Sequence, residues 1–98
     1  MLVPDEMADT SAAERAAAEL DSIAASIGEG AAAEVVERRM RLVHDAVLAL
    51  GREANQGRAV SIALLVAALR AGAPPHPGMA RNLREVAADL RATAGRDA

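Results

Sequence analysis

The chain has 98 residues, room for one small domain and no second independent core. It is 52% hydrophobic and 26% charged, a globular profile outside the range of intrinsic disorder, and it carries a net charge of −3 with no aromatic residue and no cysteine. Disulfides and thiolate metal sites are excluded, and the core has to be filled by Ala, Leu, Val, Ile and Met, which bury less surface than aromatic rings do.

Residues 1 to 10 show no apolar periodicity and are expected to form a flexible N-terminal tail. Asp5 and Glu6 stand where a secretory leader needs basic residues and no apolar stretch follows, so a cytoplasmic location is expected. Ser11-Ala12-Ala13-Glu14 matches a capping box and predicts a helix from Ser11 to Ile27. Ala13, Ala16, Leu20, Ile23, Ala24 and Ile27 share one face, and Gly28 follows as the left-handed residue that ends it.

The second predicted helix, Ala31 to Ala54, has the strongest pattern in the chain. Val36, Met40, Val43, Val47, Leu50 and Ala54 step by 4, 3, 4, 3 and 4, a heptad seam. Glu34 with Arg38, Glu37 with Arg41, and Arg41 with Asp45 add i,i+4 pairs on the polar side. Gly51 weakens the end of this helix and Asn55-Gln56-Gly57 is expected to break it.

Arg58 to Ala71 is apolar around most of a helical circumference, which places it at the centre of a bundle or in a subunit interface. Its apolar run, Ala59 to Leu69, is far shorter than the roughly 18 to 20 residues a bilayer span needs, so no membrane partner is expected. Gly72 ends this element, and Ala73-Pro74-Pro75-His76-Pro77-Gly78 forms a stiff connector in which His76 is a solvated loop residue. Pro77 suits the first position of a last helix that runs to Ala92 and carries Met79, Leu83, Val86 and Leu90 on one stripe. Together these elements predict an all-α fold, a small antiparallel bundle of about four helices over residues 11 to 93, with residues 94 to 98 frayed.

The chemical inventory is thin. Every basic residue is Arg, Ser11, Ser22, Ser26 and Ser61 lie in no nucleophile motif, and no glycine-rich loop matches a phosphate or dinucleotide fingerprint. No enzymatic activity and no cofactor are expected. His44 and Asp45 are neighbours and project about 100° apart on a helix; of the acids, Glu37 shares the face of His44, and no metal site is expected. The acidic balance and the lack of aromatics argue against nucleic acid. Charge is uneven, however: residues 1 to 30 hold seven acids against Arg15, and the remainder holds ten Arg against seven acids.

The string Glu37-Arg38-Arg39-Met40-Arg41-Leu42-Val43-His44-Asp45-Ala46-Val47-Leu48 resembles the phosphoacceptor helix of two-component sensor histidine kinases, in which basic residues lead to a His followed by an acid on a dimer-forming helix. The resemblance implies His44 as the phosphorylated nucleophile, Asp45 as its acid/base neighbour, and Arg38, Arg39 and Arg41 as a basic shoulder. Such kinases also carry an ATP-binding domain, and nothing here matches its motifs, so the resemblance implies a phosphoreceiver or a dimerisation module without autokinase activity. The plainer expectation is a non-enzymatic interaction or dimerisation module that binds itself, as a homodimer, or a cognate helical protein. Its interface would be the stripes Val36, Met40, Val43, Val47 and Leu50, and Met79, Leu83, Val86 and Leu90.

Overall fold

The computed structural model describes the backbone of residues 5–97 and the side chains of residues 12–94. Four helices follow one another: α1 (Asp5–Gly28), α2 (Ala33–Ala49), α3 (Glu53–Arg70) and α4 (Pro77–Asp97). Among the described residues there is no strand, and the fold is a small all-α bundle. α1 packs most extensively on α4, α2 packs on α3, α1 also meets α2, and α3 touches α4 over a short stretch.

Among the described residues, the largest fully enclosed side chains are Leu20, Ile23, Val36, Met40, Val47, Ile62, Met79, Leu83 and Leu90. They come from all four helices and belong to a single core. With no ring to span the space between helices, alanines fill the gaps, and Ala17, Ala24, Ala59 and Ala87 are buried beside them.

Each helix contact carries one arginine clamp. Arg39 of α2 donates from Nε and Nη2 to Glu19 Oε1 at 2.9 and 2.7 Å, from Nη1 to Ser26 Oγ at 2.9 Å, and from Nη2 to Ser22 Oγ at 2.8 Å, all on α1. Arg91 of α4 reaches Asp21 on α1 at 2.6 Å, with Glu14 at 3.8 Å. Arg70 of α3 donates to Glu37 on α2 at 2.6 Å. Arg58 of α3 donates to Thr93 on α4 and to Asn55, the buried polar residue of its own helix, both at 2.6 Å. The charge asymmetry of the sequence is thus partly used inside the bundle, where acids of α1 receive arginines of α2 and α4.

The helix boundaries depart from the sequence pattern at four places. α1 begins at Asp5 and α4 continues to Asp97, so residues 5–10 and 94–97 are helical where a tail and a frayed end were expected; residues 1–4 and 98 lie outside the described residues. These two helices make the broadest contact in the bundle, and helical stability in proteins comes mostly from such tertiary packing. Ser11 therefore sits inside α1 rather than at its cap. The α1 turn closes two residues later than expected, at Gly30, whose φ of 84° is left-handed, with Gly30 N–H donating to Ile27 O and Ala31 N–H to Ser26 O. The heptad seam likewise stops at Leu50: Gly51, with φ 75°, reverses the chain, and Asn55, Gln56 and Gly57 lie within α3. A left-handed glycine ends a helix more decisively than a polar triplet does, because Asn, Gln and even Gly are tolerated within a helix that is packed on neighbours.

His76 also does more than line a loop. Its ring Nδ1 accepts the Gly78 N–H at 3.1 Å and its carbonyl accepts from Met79 and Ala80, so it caps α4 ahead of Pro77.

The two faces of α3 make a direct test of this packing. Ile62→Ala, at a fully buried position, is expected to cost about 2–5 kcal/mol in urea unfolding, whereas Leu64→Ala, at a position 66% exposed, should stay within about 0.5 kcal/mol. Equal losses would contradict the assignment of α3 faces.

Candidate functional site

The residues expected to form an interface lie elsewhere. Val36, Met40, Val43 and Val47 are buried in the core with Met79, Leu83, Val86 and Leu90, and Leu50 is half-buried against the same cluster. Apart from Leu50, both stripes are buried by packing within one chain, which leaves those eight side chains little surface to offer a partner. The reason is compositional: a chain without aromatics needs its best apolar stripes for its own core.

Among the described residues, the large apolar side chains that remain outside are confined to two of the four helices. The five large apolar residues that stay exposed, Val35, Leu42, Leu48, Val60 and Leu64, are all on α2 and α3. On α3, Val60, Leu64, Ala67 and Ala71 step by 4, 3 and 4 along the face opposite Ile62 and Val66, and all four are exposed. α3 and its C-cap therefore carry two apolar stripes back to back, one in the core and one in water.

Between α2 and α3 lies a groove of about 810 Å³. Leu42, Ala63, Val66, Ala67 and Ala71 supply its apolar surface; Arg38, Arg41, Arg70, His44 and Asp45 supply its polar groups. The volume lies in the range of sites that hold small molecules or segments of a partner. α2 brings Arg38, Arg41 and Asp45 outward, on the side away from its buried Val36, Met40, Val43 and Val47, and His44 to the α3 side.

His44 and Asp45 are closer than the helix spacing implied. The imidazole Nδ1 is 3.0 Å from Asp45 Oδ1, with the His44 side chain 28% and the Asp45 side chain 78% exposed. The two side chains bend towards each other at the groove rim. Glu37 does not join them. It accepts from Arg70 at 2.6 Å and lies 3.8 Å from Arg41, so the Arg70 partnership, which crosses between helices, outweighs the i,i+4 pair with Arg41. Arg38 forms no hydrogen bond or ion pair with a described residue. Arg39, read as part of the same basic shoulder, reaches Glu19, Ser22 and Ser26 of α1 instead and does not line the groove.

The hydrogen bond from Arg70 holds the Glu37 carboxyl below its ordinary value of 4.5; partial desolvation opposes this, and the charges of Arg41, Arg70 and Arg38 add to it. Among the described residues no three His or carboxylate side chains gather as a metal site, and no helix is long and apolar enough to cross a membrane.

The fold is thus a small all-α bundle with a groove between α2 and α3 that is lined by both apolar and charged side chains. The chain matches no protein-family model, no curated protein and no solved structure.

Sequence reasoning located Arg38, Arg41, Leu42, His44 and Asp45 in one string but missed their partners across the groove. The 4, 3, 4 spacing of Val60, Leu64, Ala67 and Ala71 was the available signal, masked because the residues between them are apolar too.

Because the folded Glu37 carboxyl is more acidic than the unfolded one, its tie to Arg70 contributes above the ordinary carboxylate range and is lost as pH falls through the lowered folded value. In a carboxyl chemical-shift titration, Arg70→Gln is expected to move the Glu37 midpoint up towards 4.5; an unmoved midpoint would remove Arg70 as the cause.

Proposed function

We propose that this protein is a non-enzymatic helical interaction module that docks another protein on the outer side of α2 and α3. The observation that supports this reading is the segregation of exposed apolar residues: all five large ones lie on α2 and α3, among the described residues. Scattered surface leucines are ordinary, but a set restricted to the two helices that flank a groove fits a recognition surface. Leu42 and Leu64, each 66% exposed, contribute little to folding and are kept in water at a solubility cost that a partner would relieve. Leu42→Asp and Leu64→Asp are expected to abolish complex formation in co-purification and light scattering while leaving thermal melting within a few degrees of the parent. Variants that retain the complex, or that lose it only by unfolding, would sink the reading.

One observation favours a second use of the same groove, as a histidine phosphoacceptor in the manner of the kinase helix that residues 37–48 resemble. His44 is partly exposed and its Nδ1 meets Asp45. With the proton on Nδ1 the carboxylate accepts it, and the Nε2 lone pair is left to attack a phosphoryl donor such as acetyl phosphate: the N–P bond forms as the donor P–O bond breaks, and Asp45 balances the resulting imidazolium. Acid-labile phosphate on the parent chain that disappears in His44→Gln is the expected result. Label of equal amount on both, or on neither with acetyl phosphate and a cognate kinase, would discard this use.

A further inference from the structure

We propose that the partner seated on this side is an acidic amphipathic helix; the inference rests on the docking reading above and adds the chemistry of the occupant. The groove lies between two antiparallel helices and opens beside the outer stripe of α3, so its shape suits an element laid lengthwise. The stripe repeats at 4, 3, 4, the spacing with which another helix interdigitates, and its small members Ala67 and Ala71 leave holes that larger apolar side chains of the partner fill.

Charge selects the sign. Three guanidiniums, Arg38, Arg41 and Arg70, line the groove against one carboxylate, Asp45. Glu37 steadies Arg41 and Arg70 without itself lining the groove, and Arg38 has no ion-pair partner among the described residues. An excess of cations beside an apolar strip matches a helix with leucines on one face and Glu or Asp along its flanks. A second copy fits less well, because two such faces brought together oppose the same positive excess. Nucleic acid would use the arginines but leave Leu42, Val60 and Leu64 uncovered.

The test uses the full chain and two synthetic peptides of the same 18-residue length as α3. Both carry leucines at i, i+4, i+7 and i+11 and one Trp on that face; one has Glu on its flanks and the other Lys. The chain contains no aromatic residue, so peptide Trp fluorescence reports binding directly. The Glu peptide is expected to bind at least about tenfold more tightly than the Lys peptide, with the gap narrowing as salt rises and reversing in the Arg38→Glu/Arg41→Glu variant. Equal affinities, both lost in Leu64→Asp, would overturn the acidic preference while the docking surface stands. A doubled mass by light scattering that Leu64→Asp returns to one chain, with neither peptide bound, would give the surface to a second copy and overturn the inference. Failure of both peptides with a single-chain mass would overturn the inference and the docking reading together.

Discussion

The lack of aromatic side chains is the constraint on which this structure depends. A Phe or Trp closes the gap between two helices with one residue; here Leu, Ile, Val and Met from all four helices are needed, with alanines between them. The heptad seam of α2 and the Met79–Leu90 stripe of α4 are both drawn into that single core. Close helix approach then follows from the alanines, since small residues at the contacts let backbones near each other.

Such a core specifies helix alignment weakly, because alanines and flexible methionines interlock less than rings do. The arginine clamps supply what the apolar contacts lack. Arg39 shows the principle: one planar guanidinium reads a carboxylate and two hydroxyls on α1 at the same time, and that set of partners exists at only one sliding position of α2 along α1. Arg91 and Arg70 act similarly between α4 and α1 and between α3 and α2, at more exposed positions where geometry counts for more than energy. The all-Arg basic complement thus has a structural use.

Fold class and helix number were legible because the buried stripes are strongly periodic and each connection carries a glycine or a proline. Boundaries were less so. Ser11 looks like a cap in isolation, yet it lies within α1, which makes the broadest contact in the bundle, and tertiary packing routinely outweighs such a local signal. Asn55-Gln56-Gly57 looks like a breaker, yet the Asn55 amide oxygen accepts from Arg58, a partner three residues on that the continuing helix brings within reach. The candidate site was half legible. The string of residues 37–48 names one wall of the groove, but Ala63, Ala67 and Arg70 have no distinguishing local chemistry and become a wall only when α3 folds back on α2. Likewise the i,i+4 rule proposed Arg41 as the partner of Glu37, and the closer ion pair came from thirty-three residues away.

The ambiguity of α3 carries the functional argument. A helix apolar all round belongs either in the centre of a bundle or at an interface, and those alternatives were posed as exclusive. In this bundle α3 is a peripheral member, in close contact with α2 and only briefly with α4, so one stripe suffices for the core. The second stripe is then surplus to folding. Replacing Val60 and Leu64 with polar residues would relieve exposed apolar surface at almost no cost to the core, and the facing wall of α2 already shows how: Arg38, Arg41 and Asp45 occupy its outer side. The α2 wall thus carries Arg38, Arg41 and Asp45 while the outer stripe of α3 is uncharged, and Arg70 is the charged group that α3 adds to the groove between them.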